Sequence, residues 1–252
     1  MSEKSIMFND LNLRKILEIQ KKIDLSSAEC LYLEEYAQRI AEIIYYEFEK
    51  SVILARAFIT VPFSDLPKEN KIFVRNLAGE KKITDLIKDN TPVLSLASSY
   101  GIEDAWKNRH TSKGHIGIPL VSEEFIELIP MIARLLKSFG VPLGWISGKD
   151  TGIVTKSIGD LSGIFYVPDA KTTVDEKGRK VIPNEKFVDK YGVKTVFGFG
   201  GSYLIEKTFV VFIIFTREEI KKESAELFMP VANLIKASTT HLVSNGKIFS
   251  NK

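Results

Sequence analysis

The chain has 252 residues, 44% of them hydrophobic and 27% charged, enough to bury a core in one large domain or two small ones and too apolar for wholesale disorder. A net charge of +3 without a long Lys/Arg block argues against charge-driven nucleic-acid binding, and the single cysteine excludes an internal disulfide and argues against a cysteine-based zinc site. The N-terminus "MSEKSIMFND" has no signal-peptide core and the longest apolar run, 208–216, is too short to span a bilayer, so the expectation is a soluble, cytoplasmic protein binding neither nucleic acid nor membrane.

In chain order, the first fifty residues read as two amphipathic helices. "LNLRKILEIQKKI" places Leu13, Ile16, Leu17 and Ile23 on one side. In 26–50, Leu33, Tyr36, Ile40, Ile44 and Phe48 recur at spacings of three and four, with Ser26 or Ser27 as the N-cap. Cys30 lies in this helical stretch and reads as a small buried apolar residue. "SVILARAFITV" (51–61) reads as a strand ended near Pro62. Residues 62–92 read as irregular, with a short helical patch around Ile83, Leu86 and Ile87. Strands are expected at 92–98 and 116–120, flanking a polar, turn-rich stretch at 99–115. "SEEFIELIPMIARLLKSFG" (122–140) carries Ser122 as a cap, early glutamates, and a broad apolar face of Phe125, Leu128, Ile129, Ile132, Leu135, Leu136 and Phe139. Pro130 either kinks that helix or starts its second half. Strands come next at 142–147 and 163–170, then a polar excursion over 171–185.

The cluster Gly198, Gly200 and Gly201 raises the question of a phosphate loop. A dinucleotide fingerprint needs a third glycine at 203, which is Tyr203, and a helix directly afterwards. A second apolar run stands in the place of that helix. Segments 193–199 and 208–215 therefore read as a β-hairpin joined by "GGSYLIEK". Both runs are apolar at nearly every position, which predicts a sheet covered on both faces. The last segment supplies one cover: Leu227, Val231, Leu234 and Ser238 align, and Pro230 is expected to bend a helix over about 217–244. The order predicts an α+β domain around one central antiparallel sheet, in a single unit of residues 1–252 with N-terminal helices at about 10–50.

At this point the order of elements resembles a GAF domain. The likeness is carried by "FYVPDA" (165–170), "FVDKYGVKTVFGFGG" (187–201), "TFVVFIIFT" (208–216) and "AELFMPVANLIKAS" (225–238). With "FITVPFSDLP" (58–67), "SKGHIGIPL" (112–120) and "PMIARLLKSFGV" (130–141), it narrows to the GAF-like sensory regions found ahead of bacterial histidine kinases. The resemblance implies an antiparallel sheet of about six strands, helices from both termini on one face, and a ligand pocket on the other under loops and short helices. It implies a binding and regulatory module, dimeric through helices at 26–50 and 217–244, for a small molecule whose identity stays open. No cyclic-nucleotide motif and no bilin-attaching cysteine is visible, and Cys30 is far upstream of the pocket region. With about a dozen residues after the last helix, the expectation is a stand-alone module that signals through a separate partner, such as a histidine kinase, or through dimerisation.

"WKNRHTSKGH" gathers the candidate chemistry. Arg109 with a histidine suits a carboxylate or phosphate, and Trp106 suits a planar group; the plain alternative is a solvated basic loop. His115 belongs to a stretch that resembles the family, and His110 does not. A haem- or redox-linked sensor using His115 is a second reading, and a purely structural, partner-binding module a third. Asp169 either caps a turn or faces the pocket. Tyr166, Phe197 and Phe199, with Phe165, read as core and pocket wall. The pocket is expected from residues 97–118 and the strands around 165–169 and 195–199. No G-x-S-x-G and no reactive cysteine pair is present, so no catalytic activity is expected.

Overall fold

The spacing of apolar residues puts two helices first, and the computed structural model, which describes residues 5–27, 29–112, 114–141, 162–203 and 208–250, places α1 at Leu13–Ser27 and α2 at Leu33–Glu47. Along α2 the apolar stripe Leu33, Tyr36, Ile40, Ile44 and the following Phe48 is buried. Along α1 the buried set is Ile16, Ile19 and Ile23, while Leu13 and Leu17 are 68% and 64% exposed; the stripe expected from sequence is rotated, because α1 rests on α2 and the last helix. Ser26 and Ser27 close α1 and do not cap α2. Glu35 caps α2 instead, its carboxylate accepting the backbone N–H of Leu31 at 2.8 Å and of Tyr32 at 3.2 Å. Cys30 is buried in the link between the helices, outside both.

Six strands form one antiparallel sheet: β1 Val52–Pro62, β2 Pro92–Gly101, β3 Gly117–Pro119, β4 Ser162–Val167, β5 Val196–Ser202 and β6 Phe209–Thr216, in the order β3-β2-β1-β6-β5-β4. β5 and β6 are the expected hairpin, paired from Val196 opposite Phe215 to Ser202 opposite Phe209. The glycines of β5 serve close approach. A Cβ at Gly200 would lie 2.0 Å from the carbonyl oxygen of Val210, and one at Gly198 2.7 Å from that of Phe212. The strand expected at 142–147 lies outside the described residues.

Both faces of the sheet are covered. On one, α1, α2 and the C-terminal helices enclose Ala55, Ala57, Ile59, Phe197, Phe199, Phe212 and Ile214. Aromatic rings fill this layer, with Phe8 stacked on Phe48 at 3.9 Å and Phe199 on Phe228 at 4.9 Å between centroids. Glu218 anchors the N-terminus here, its carboxylate accepting from the backbone N–H of Phe8 and Asn9, both at 2.9 Å, and from the Ser51 hydroxyl at 2.6 Å. On the other face, Leu54, Phe58, Leu94, Leu96, Phe165, Val211 and Ile213 pack under short helices and loops.

Prolines set those short helices. The segment at 122–140 is two helices, α4 Glu123–Glu127 and α5 Pro130–Ser138, with Pro130 at the start of the second; Leu128 falls in the break and is exposed. The helix expected over 217–244 divides likewise into Lys222–Glu226 and Met229–Ser244, with Pro230 in the first turn of the latter. Its buried stripe is Val231, Ile235, Thr239 and Leu242, one residue round from the expected set. Residues 62–92 are not irregular: α3 spans Lys68–Glu80. It buries Asn70, Val74 and Ala78 against the β3 edge, and Asn70 donates to the Ser95 hydroxyl at 2.8 Å and the Ile116 carbonyl at 3.1 Å. A further helix, Glu185–Tyr191, begins at Asn184, whose side chain accepts the Phe187 N–H, and ends at Gly192 in the left-handed region.

Candidate functional site

β1 carries a single charged residue, Arg56, at its centre. Its side chains alternate, so Leu54, Arg56 and Phe58 leave the sheet on the face away from the terminal helices. With Ile213 and Phe215 of β6 they floor a cavity of about 270 Å³. Ile129, Met131 and Ile132 wall one side, and Ile182, Pro183, Asn184 and Phe187 the other. Ile118 closes the β3 end, and Trp106, Gly114 and His115 frame the mouth. The walls are hydrocarbon and aromatic ring, with few polar groups, which is the composition of a small-molecule site.

Arg56 brings a charge to this apolar space. Its Nη2 donates to the buried Ser112 hydroxyl at 2.6 Å, and Ser112 and Ser99 lie 3.3 Å apart, oxygen to oxygen. Burial lowers its pKa to about 10, so the group stays a cation at neutral pH. His115 is exposed at the mouth. The atoms crowded round its ring and the Arg56 charge still lower its pKa below the usual value, favouring a neutral imidazole. Trp106 meets Phe187 at 5.8 Å and Tyr191 at 4.9 Å in edge-to-face contacts, and Phe187 meets Phe215 at 5.3 Å with perpendicular rings. These rings make one continuous aromatic wall.

Of the residues singled out in the sequence, Trp106 and His115 come together at the cavity. Arg109 does not line it. Its side chain is buried beneath the loop, with Nε on Glu34 and Nη1 on Glu69 at 2.6 Å, and its guanidinium sits 5.0 Å from the Phe249 ring centroid. His110 pairs with Glu69 at 3.0 Å and is half exposed. Asp169 caps a turn, accepting the Lys171 N–H at 2.8 Å and the Thr172 hydroxyl at 2.6 Å. Tyr166, Phe197 and Phe199 lie on the opposite face, with the helices; the Tyr166 hydroxyl donates to the Ile220 carbonyl at 2.6 Å. Phe165 is on the cavity face as buried core. Arg56 was missed, and its signal was in plain view: a lone charge inside "VILARAFITV", where a solvated strand would alternate.

Among the described residues no group of three or more His, Cys, Asp or Glu side chains is placed to hold a metal ion. His115 faces a cavity of about 270 Å³, under the roughly 300–1,000 Å³ of pockets for drug-sized ligands, so a haem macrocycle does not fit the site as built. Among the described residues no helix is long and apolar enough to cross a membrane.

No family model and no curated protein sequence matches the chain. Solved structures do resemble it. The GAF domain of an Acinetobacter phosphoenolpyruvate-protein phosphotransferase is 10% identical with a TM-score of 0.47, over 93% of this chain and 98% of that one. The GAF domain of the Coxiella burnetii phosphoenolpyruvate-protein phosphotransferase is 12% identical with a TM-score of 0.46, over 94% and 99%. The phycoerythrobilin-bound GAF domain of a cyanobacterial phytochrome is 11% identical with a TM-score of 0.46, over 93% and 99%. The chain's own architecture is α+β, with a six-stranded antiparallel sheet, helices from both ends of the described chain on one face and a cavity on the other.

Proposed function

We propose that the protein is a sensory or regulatory module that binds a small molecule in the Arg56 cavity and has no catalytic activity of its own. The observation that carries this reading is the cavity itself: apolar and aromatic walls around one buried cation, opposite a solid helix layer. Among the described lining residues there is no nucleophile–base pair, which favours binding over chemistry. The signal passes to a separate cytoplasmic protein, such as a histidine kinase, or through a homodimer made by the terminal-helix layer. Support for the dimer comes from the outer helix of that layer, α1, which leaves Leu13, Leu17 and Leu25 exposed.

The test is the ultraviolet–visible spectrum and native mass of freshly purified protein. Excess mass per subunit that disappears on denaturation, without visible colour, is the expected result. A Soret band that is lost in His115→Ala would replace this reading with haem sensing. A bare subunit mass that no small-molecule screen can shift would leave a structural, partner-binding role. A monomer at micromolar concentration would remove the dimer.

A further inference from the structure

Under the proposed function the cavity is a ligand site, and the ligand class rests on that reading. An apolar cavity of roughly 150 Å³ lined by leucine, isoleucine and phenylalanine takes up benzene. This one is about 270 Å³, below the roughly 300–1,000 Å³ of drug-sized sites, which suits a ring with a short substituent or two fused rings. One wall is the linked ring set Trp106, Phe187 and Phe215, in edge-to-face contacts at 5.8 and 5.3 Å. A ring entering there continues the same pattern, at the roughly 4.5–7 Å spacing that aromatic pairs prefer. The polar side chains of the lining are engaged or neutral. Arg56 donates through Nη2 to Ser112, which does not line the cavity, and has a further interaction besides. The Asn184 side-chain oxygen accepts the Phe187 N–H at 3.1 Å, and His115 is held toward its neutral form. An ammonium entering would meet no carboxylate among the described lining residues. A carboxylate would have to compete for an arginine already engaged. Either ion gives up hydration that the lining does not replace, and a neutral ring does not.

We propose that the cavity takes a small uncharged aromatic molecule, of one ring or two fused rings, with its ring against the Trp106–Phe187–Phe215 wall. A saturated ring of the same size fits less well. It forgoes the edge-to-face contacts, and it lacks the π face that tolerates a nearby cation such as Arg56.

Benzyl alcohol, benzoate, benzylamine and cyclohexylmethanol, matched in size, make the test, titrated calorimetrically into the full chain at pH 7.5. Benzyl alcohol is expected to bind roughly tenfold more tightly than either ion, which pays for its lost hydration. It should bind about threefold more tightly than cyclohexylmethanol, through the aromatic contacts. Phe187→Leu should erase the margin over cyclohexylmethanol while benzyl alcohol still binds. Met131→Trp, which fills the cavity from its wall, should weaken benzyl alcohol roughly tenfold, the upper range for one well-packed contact. The four-ligand comparison needs neither variant, so it stands should one fail to fold. Benzoate or benzylamine binding as tightly as benzyl alcohol overturns the uncharged class while leaving the cavity a ligand site. Equal binding of cyclohexylmethanol overturns the aromatic preference in the same way. Unchanged binding in Met131→Trp puts the ligand elsewhere and overturns the assignment to this cavity. If none of the four binds at millimolar concentration, the class falls. Excess native mass on the fresh protein would then keep the cavity for another ligand class, and a bare subunit mass would remove both readings.

Discussion

Replacing Arg109 with Met is expected to cost about 3–5 kcal/mol of stability, the usual loss when one member of a buried ion pair is removed. The magnitude comes from its surroundings. The Arg109 and Glu34 side chains are 5% and 8% exposed, so Glu34 would keep its charge in a dry site. Its remaining support would be the Ser250 backbone N–H, which donates to its other oxygen at 2.6 Å. Methionine replaces the Arg109 stem with an unbranched apolar side chain, removes the guanidinium over Phe249 and isolates the Glu34 charge. Glu34→Met should cost less, because Arg109 retains Glu69, a partner that is 46% exposed and in contact with water. The double variant should be less destabilised than the sum of the two, by more than about 1 kcal/mol, since it leaves neither ion stranded. Urea unfolding followed by circular dichroism reads all four corners of the cycle, provided the m-values agree. A single-variant loss under about 1 kcal/mol, or strict additivity, would refute the claim that this pair is a buried structural tie.

Two further predictions concern the sheet and the cavity mouth. Gly200→Ala should cost about 3 kcal/mol or more, the upper range for overpacking, because its Cβ would meet the Val210 carbonyl at 2.0 Å; Gly178→Ala, at φ +73° with open space around it, should lose only the roughly 1–2 kcal/mol of a left-handed backbone, and equal losses in urea melts would contradict the packing argument. His115 has its pKa lowered in the fold by the atoms crowded round its ring and by the Arg56 charge, so the unfolded chain takes up its proton first and stability falls as pH drops below the usual histidine value of about 6.5; urea melts from pH 8 to 5 should show a shallower decline in His115→Gln, and superimposable profiles would rule this out.

Periodicity carried the elements that bury a strong stripe, and failed where burial is thin or polar. α2 was legible because five large apolar residues repeat along one side. α3 was not, because its inward face is Asn70, Val74 and Ala78 while Ile72 points to solvent; the deciding contacts are hydrogen bonds from Asn70 to β2 and the loop before β3. The proline breaks were visible as prolines, yet whether a helix bends or restarts depends on what packs beneath it. The site was half legible for a related reason. Alternation says that Phe165 and Tyr166 leave β4 on opposite faces, and that Phe197 and Phe199 share one. Both faces are apolar, so nothing local says which of them holds the cavity. Arg109 and His110 were read with Trp106 and His115 as one basic loop, but the bends and turns after Trp106 take Arg109 onto Glu34 and His110 onto Glu69, while Trp106 and His115 line the cavity.

The two faces of the sheet differ in kind, and that difference constrains where function can sit. The helix face is closed by long helices and stacked rings, and a well-packed layer of this sort leaves no room without a large cost. Among the described residues the other face is covered by α4, α5 and the helix Glu185–Tyr191 with their connections, and the cavity lies over Arg56 between them. The segment from Ile102 to Ile116 touches both sides of this arrangement. It places Trp106 and His115 at the cavity mouth, and between them Arg109 is tied to Glu34 of α2 and stacked on Phe249 near the end of the described chain. Glu34 is itself bonded to that end, its N–H donating to the Ile248 carbonyl at 3.0 Å. The loop at the mouth is thus fixed at its middle to both terminal elements, and under the proposed function a bound ligand would bear on it. The buried pair that secures the fold also ties the loop at the cavity mouth to α2, so the Arg109–Glu34 cycle tests that anchor.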